Sequence, residues 1–129
     1  MAKVLITDDS ATARMIIQRC IEVLGWQSCE FLHASNGVEA LEIVMNQSVD
    51  LIITDIVMPV MDGINLLKRI KVSPKLNHIP VFVISSLANP AMEKELEQFG
   101  VDHLIYKPVS PPKLLEALEG TLGKDFLEK

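Results

Sequence analysis

Five residues with carboxylate, hydroxyl or ammonium groups follow or end short apolar segments of the chain. Asp8 and Asp9 come after VLIT, and Asp55 comes after LIIT. Ser85 ends the segment VFVIS, and Lys107 follows LIY. If these segments are parallel strands of one sheet, all five groups lie at the edge formed by the carboxyl ends of the strands.

The adjacent carboxylates of Asp8 and Asp9 require a compensating charge. Two like charges about 5 Å apart, at an effective dielectric constant of about 20, repel by about 3 kcal/mol. A third carboxylate, Asp55, at the same edge adds to this repulsion. Ligand sets made only of oxygen select a hard cation such as Mg²⁺. The sequence therefore predicts that the three carboxylates share one magnesium ion.

The same residues are suited to phosphoryl chemistry. Protein-bound Mg²⁺ keeps several waters and leaves positions for phosphate oxygens. The Asp55 carboxylate can then act as a nucleophile and accept a phosphoryl group as a mixed anhydride, which needs no general base. The Lys107 ammonium and the Ser85 hydroxyl would contact the phosphoryl oxygens as charge develops on them.

Alternating sequence periods predict the elements that position these residues. Five apolar segments alternate with five patterns of helical period. The predicted strands are 3–7, 28–34, 51–53, 79–85 and 103–106. Helices are expected after Ser10, after a turn at Asn36 and Gly37, over 64–71, over 90–99 behind Asn89, and from Pro111. The predicted inward faces of the first two helices include Ile16, Ile17, Ile21, Val38, Leu41, Val44 and Met45.

Strict alternation of strands and helices predicts the fold class. LIIT and VFVIS are apolar without alternation, which is typical of strands that helices cover on both faces. With right-handed crossovers the pattern gives an α/β fold with one doubly wound, five-stranded parallel sheet. No repeat or linker interrupts the pattern, so we expect a single domain over residues 1–129 with its core at about 3–122.

Charge and hydropathy argue against several classes of function. The net charge of −5, without a cluster of Lys and Arg, argues against nucleic-acid binding. Apolar runs end within about eight residues, far short of the roughly 20 that cross a bilayer. The N-terminal segment MAKVLITDD lacks the pattern of a signal peptide. We therefore expect a cytoplasmic protein without a membrane partner.

Four segments carry a resemblance to a known family. LITDDS, LIITDIVMPVMDG, PVFVISS and LIYKP resemble the receiver domain of two-component response regulators of the CheY-like type, and the βα pattern agrees from about residue 3 to 122. The resemblance implies the strand order 2-1-3-4-5. It also implies a role for each of the following residues: Asp55 as phosphoacceptor, Asp8 and Asp9 as the metal-binding pair, Ile56 as a metal ligand through its backbone carbonyl, Ser85 and Lys107 as phosphoryl contacts, and Pro108 as a cis proline.

The chain departs from this family at three positions. Leu104 stands three residues before Lys107, where many receivers have an aromatic residue that moves inward with the hydroxyl group. Val57 and Leu87 stand where related receivers have polar side chains that help water to attack the phosphoryl group. Apolar residues there predict a longer-lived phosphoryl state.

The leading functional prediction is a stand-alone receiver. It would take a phosphoryl group from a phosphohistidine on a histidine kinase or phosphotransfer protein, and would then change its affinity for a downstream protein target. Only GKDFLEK follows the last helix pattern, so no output domain is expected within this chain. The predicted contact surface lies on the fourth helix, fifth strand and fifth helix, with Met92, Leu104, Pro108 and Pro111 as candidates.

Three other functions compete with this prediction. A Mg²⁺-dependent aspartyl-phosphate phosphohydrolase would show multiple turnovers on phosphomonoesters, whereas a receiver catalyses only its own phosphorylation and dephosphorylation. An FMN carrier of similar winding needs a hydroxyl-rich loop after the first strand, but DDSAT begins with two charges that repel phosphate. A receiver-like scaffold usually lacks one of the acidic residues, and all are present here.

Overall fold

A computed structural model describes residues 2–25, 29–86 and 89–122. These residues form strands and helices in strict alternation. The strands are β1 Lys3–Thr7, β2 Glu30–Ala34, β3 Leu51–Asp55, β4 Val81–Ser85 and β5 His103–Tyr106. The helices are α1 Ala11–Val23, α2 Gly37–Asn46, α3 Gly63–Val72, α4 Pro90–Gln98 and α5 Pro111–Leu122. No helix in these described ranges is both long and apolar enough to cross a membrane.

The strands form one parallel sheet in the order β2-β1-β3-β4-β5. The predicted fold class and strand order are therefore confirmed. Because every pairing is parallel, the carboxyl ends of β1, β3, β4 and β5 lie at the same edge of the sheet. The chain reverses its winding between β1 and β3, and the aspartates follow or end these two strands.

Apolar side chains pack on both faces of the sheet. Leu5, Ile52 and Val83 belong to the core under α2, α3 and α4, whereas Ile6, Ile53 and Ile84 belong to the core under α1 and α5. Successive residues of a strand point to opposite faces, so a strand that is buried on both sides must be apolar throughout. This two-sided burial explains the continuous apolar runs LIIT and VFVIS.

Side-chain caps determine where several helices begin. Ser10 and Asn89 are N-caps, as predicted, and their side-chain oxygens accept hydrogen bonds from backbone N–H groups in the first turn. Asn36 was expected in a turn but is also an N-cap, and α2 begins directly at Gly37. Asp62 caps α3 by accepting a hydrogen bond from the N–H of Asn65.

Three predicted strands have different bounds in the structure, and the second predicted strand, expected over 28–34, begins as β2 at Glu30. β3 is two residues longer than predicted and includes Asp55, while β4 begins only at Val81 because Pro80 has no N–H group to donate. The start of the second predicted strand, Ser28, lies outside the described residues, as does Leu87.

The buried faces of α1 and α2 are narrower than the sequence predicts. Ile17 and Ile21 are buried, but Ile16, Val38 and Met45 are 51%, 37% and 54% exposed. A helix packed on a sheet buries only the arc that faces the strands, and these three residues lie at the margin of that arc.

The loop between β3 and α3 contains a valine in an unfavourable conformation. Val60 has φ 69° and is 81% exposed. The N–H of Met61 donates a hydrogen bond to the carbonyl oxygen of Pro59 at 2.7 Å, which closes a γ-turn centred on Val60. A left-handed backbone costs a residue with a Cβ atom about 1–2 kcal/mol, and glycine avoids this cost.

We expect Val60→Gly to raise the free energy of unfolding by about 1 kcal/mol, because relief of this strain exceeds the entropy that glycine adds to the unfolded chain. The matched control is Val57→Gly, which replaces another exposed valine of the same loop and should lower stability by about 0.5–1 kcal/mol. Urea unfolding measures both. Equal losses in the two variants would show that the turn at Val60 is unstrained.

Candidate functional site

Three carboxylates meet at the sheet edge. One ligand oxygen from each of Asp8, Asp9 and Asp55 lies within 4.8 Å of the others. The segment after β1 supplies Asp8 and Asp9, and the last residue of β3 supplies Asp55. Neighbouring parallel strands bring these residues together although 46 positions separate the second from the third. The structure thus assembles the acidic cluster that the sequence predicts.

Burial and charge act strongly on Asp8. This residue is 2% exposed, and its Oδ1 accepts a hydrogen bond from the N–H of Ser10 at 2.9 Å. Burial raises the pKa of the Asp8 carboxyl, and the nearby charge of Asp55 raises it further. The Ser10 hydrogen bond and the Lys107 ammonium act in the opposite direction, but the net shift is upward. The folded protein therefore holds an ionised Asp8 at a cost in free energy.

The ammonium of Lys107 lies beside Asp55. Its Nζ atom is 3.5 Å from Asp55 Oδ1, and the Asp55 side chain is only 13% exposed. The same Oδ1 accepts a hydrogen bond from the N–H of Ile56 at 3.0 Å. The backbone N–H of Lys107 donates to the carbonyl oxygen of Ser85 at 2.8 Å, which joins the ends of β4 and β5. The Lys107–Pro108 peptide bond is cis, as the resemblance implies.

Gly63 allows the loop after β3 to approach Asp55. A Cβ atom at position 63 would lie 2.1 Å from the carbonyl oxygen of Asp55, so no other residue fits without a backbone shift. The N–H of Gly63 donates to the carbonyl oxygen of Ile56 at 2.8 Å. This carbonyl, the expected metal ligand, already accepts one hydrogen bond, and only its second lone pair could contact a cation.

Ser85 lies buried at the end of β4. It is 4% exposed, and its register partner on β5 is Tyr106. The neighbouring Ser86 lines a cavity of about 510 Å³ on the α1 side of the sheet, together with Asp8, Lys107 and Ile16. Serine, lysine and aspartate thus lie around one opening at the sheet edge.

The four residues of the predicted contact surface differ in accessibility. Met92 and Leu104 are partly buried against the core under α2, α3 and α4. Pro108 is exposed, whereas Pro111 is half-buried and lines a groove beside α1. Of the four, the structure brings Pro108 to the site, because it lines the cavity beside α1 together with Asp8 and Lys107.

Two features of the site were missed in the sequence. The Arg14 guanidinium donates hydrogen bonds to the carbonyl oxygen of Asp8 and to His33. Arg14 is the first basic residue after the aspartates, but nothing in the sequence indicates its partners. The Tyr106 hydroxyl is buried and has no hydrogen-bond partner in the described part of the chain.

The donor set fits a hard divalent cation. All three side chains offer carboxylate oxygens, with no nitrogen or sulfur ligand in the cluster. Asp9 is exposed, so the cluster is open to solvent on one side, and a cation there could retain water ligands. The arrangement can therefore hold a cation while leaving Asp55 accessible to a reactant.

Comparisons with known proteins agree with this geometry. The family model described as the response regulator receiver domain matches residues 4–119. The chain is 36% identical to chemotaxis protein CheY1 of Helicobacter pylori, over 94% of this chain and 97% of that protein. It is 31% identical to the polar-differentiation response regulator DivK of Brucella anthropi, over 93% and 95%. The solved structure of Vibrio cholerae CheY4 superposes with a TM-score of 0.83 at 30% identity, over 94% and 98%.

Repulsion within the cluster leads to a stability prediction for Asp8→Asn. Without metal at pH 7, this variant should gain about 1–2 kcal/mol in free energy of unfolding, because it removes a charge that burial and then the Asp55 carboxylate disfavour, and the Ser10 hydrogen bond and Lys107 offset only part of this cost. The pKa of Asp8 is higher in the folded protein than in the unfolded chain. The cost of ionising Asp8 therefore appears as the pH rises through its pKa in the unfolded chain, and it is complete above its pKa in the folded protein.

The gain should therefore vanish below about pH 3, where the Asp8 carboxyl is protonated in both states. Urea unfolding at pH 7 and at pH 3 measures it. The control is Asp50→Asn, which removes a carboxylate that accepts a hydrogen bond from Lys3 far from the cluster and should not stabilise the protein. A loss of stability in Asp8→Asn at pH 7 would contradict the repulsion.

Proposed function

The chain belongs to the response regulator receiver family and acts as a phosphoacceptor in two-component signalling, and on this premise we propose that Asp55 is the residue that accepts the phosphoryl group. The observation that carries the proposal is the Lys107 ammonium 3.5 Å from Asp55 Oδ1, within a cluster of three carboxylates. The elements from β1 to α5 form the single receiver unit that presents this site.

Phosphoryl transfer from a phosphohistidine requires little from the protein beyond position and charge. A carboxylate oxygen of Asp55 attacks phosphorus, so an O–P bond forms as the N–P bond breaks. The imidazole of the donor leaves with the electron pair and takes a proton from solvent. Lys107 and Ser85 contact the phosphoryl oxygens, and their contacts stabilise the negative charge during transfer.

Magnesium is the proposed cation, and Asp8, Asp9 and Asp55 would hold it. When bound, Mg²⁺ would neutralise the carboxylates and the charge on phosphoryl oxygens. The carbonyl of Ile56 remains a candidate ligand through its second lone pair. The protein's own contribution is to keep the three carboxylates together before the cation arrives. This arrangement costs stability, as the raised pKa of the buried Asp8 carboxyl indicates.

A histidine kinase or phosphotransfer protein is the proposed donor, and the surface beside the site supports its docking. Ile16 and Met15 of α1 are 51% and 48% exposed, and Ile16 borders the cavity that Asp8 and Lys107 line. Exposed apolar side chains next to a reactive site are typical of a contact with another protein. The donor's phosphohistidine could then enter from the α1 side.

A downstream protein is the proposed reader of the phosphorylated state. New phosphoryl contacts to Lys107 and Ser85 would shift the population between two arrangements of β4, β5 and their flanking loops. Pro108 is exposed to such a reader, and Pro111, Met92 and Leu104 are partly accessible to it. A movement of α4 would expose more of Met92, which now packs against the core. A receiver of this kind does not turn over a separate substrate, unlike the alternative phosphohydrolase.

Intact-mass spectrometry after incubation with acetyl phosphate and Mg²⁺ tests the phosphoacceptor. Wild type should gain one phosphoryl group and Asp55→Asn none, because the amide is not a nucleophile. Asp62→Asn is the matched control, since Asp62 follows in the same loop but caps α3, and it should still be labelled. Undiminished labelling of Asp55→Asn would reject the assignment. Repeated turnover of a phosphomonoester would favour the phosphohydrolase.

The donor surface is tested with Ile16→Ser. Transfer from a phosphorylated histidine phosphotransfer domain that is active on the wild-type chain should slow about fivefold to tenfold, because a central apolar contact is lost. Phosphorylation by acetyl phosphate should not change, since a small donor needs no docking. Met45→Ser removes an equally exposed side chain on α2 and is the control. Equal rates for the two variants with the protein donor would place docking elsewhere.

A further inference from the structure

Arg14 connects the acidic cluster to the edge strand β2. It is half-buried on the first turns of α1. Its Nη1 atom donates to the carbonyl oxygen of Asp8 at 2.5 Å, and its Nε atom donates to Nδ1 of His33 at 3.2 Å. One guanidinium therefore joins the segment after β1 to a side chain of β2.

The hydrogen bond to Asp8 acts on the peptide unit that links Asp8 to Asp9. The N–H of Asp8 donates to the carbonyl oxygen of Ala34 at 3.1 Å, so the backbone is held on that side by β2. The carbonyl of Asp8 lies beyond the end of β1, and Arg14 holds it instead. Because this peptide plane determines the direction in which the two side chains leave the backbone, Arg14 constrains the relative positions of both carboxylates.

His33 and Gln18 in turn hold Arg14. A guanidinium can only donate, so Nδ1 of His33 must be the acceptor and its proton lies on Nε2. Nε2 lies 2.7 Å from Oε1 of Gln18, which accepts that proton's hydrogen bond. Burial lowers the pKa of His33, and the charge of Arg14 lowers it further, which favours the neutral ring that this arrangement needs. Gln18 lies one helical turn after Arg14, so α1 supplies both ends of the chain of hydrogen bonds.

We propose that Arg14 is a positioning residue for the metal site, held by the neutral ring of His33, and that it keeps the Asp8–Asp9 peptide in the orientation that binds a divalent cation. The proposal rests on the magnesium site of the proposed function. Partners that orient metal ligands typically account for about tenfold to 100-fold in metal affinity.

The direction in which the Mg²⁺ affinity changes when Arg14 is removed distinguishes a positioning role from a purely electrostatic one. Arg14 is a cation near a cation site, so its charge alone opposes Mg²⁺ binding. If only charge mattered, Arg14→Met would bind Mg²⁺ more tightly than wild type. If Arg14 positions the ligands, the same variant binds more weakly. Arg19 is exposed on the same helix, and Arg19→Met removes the same charge without touching Asp8 or His33.

Isothermal titration with MgCl₂, together with thermal unfolding in the absence of Mg²⁺, tests the proposal. The dissociation constant should rise about tenfold in Arg14→Met and stay unchanged or fall slightly in Arg19→Met. Arg14→Lys keeps a donor for the Asp8 carbonyl but cannot also reach His33, and should recover most of the affinity. His33→Phe keeps a ring of similar size without the acceptor, and should weaken Mg²⁺ binding by about threefold.

An unchanged or lower dissociation constant in Arg14→Met would overturn the positioning role. A residue with a purely structural role would lower the melting temperature but leave the Mg²⁺ affinity at the wild-type level, and that result would overturn the proposal too. If Arg14→Met does not fold, an unchanged dissociation constant in His33→Phe overturns it. If the wild-type protein does not bind Mg²⁺, both the magnesium site and this proposal are rejected. If the wild type binds Mg²⁺ and Arg14→Met binds it equally well, only the role of Arg14 is rejected.

Discussion

Mutual repulsion among three carboxylates is the constraint on which the site depends. Asp8, Asp9 and Asp55 have ligand oxygens within 4.8 Å of one another, and Asp8 is almost fully buried. For the buried Asp8 and the half-buried Asp55, a like-charged pair at such a distance costs about 3 kcal/mol at an effective dielectric constant of about 20, whereas solvent screens the exposed Asp9. The fold must supply this free energy from its core, and the proposed cation would remove part of the cost.

The two-layer core makes the edge rigid enough to hold these charges. β1 and β3 are central strands with apolar residues packed on both faces, so their ends cannot move apart without disturbing both layers. Local contacts then orient each group: Gly63 lets the loop after β3 close on Asp55, and Arg14 holds the Asp8 carbonyl. Lys107 is the counter-charge, positioned by the end of β5.

Strand β5 differs from the residue pattern that the family resemblance leads one to expect. Leu104 replaces the aromatic residue common three positions before the lysine, and it packs against the core. Tyr106 lies two residues further along β5, beside Ser85, with its hydroxyl buried and unpaired among the described residues. A buried hydroxyl without a partner costs free energy, and this one belongs to the residue that pairs with Ser85 across β4 and β5.

The sequence by itself determined the fold class, the strand order through family resemblance, and the residue types of the site, because these follow from local periodicity and from motifs at strand ends. The sequence also predicted that the three carboxylates and Lys107 meet, but tertiary structure alone decided the contacts around them. The Arg14–His33 contact, the approach of Gly63 to Asp55 and the exposure of Ile16, Val38 and Met45 all depend on how elements far apart in the chain pack together. Local pattern sets the period of an element, but only its neighbours determine how wide an arc of it is buried.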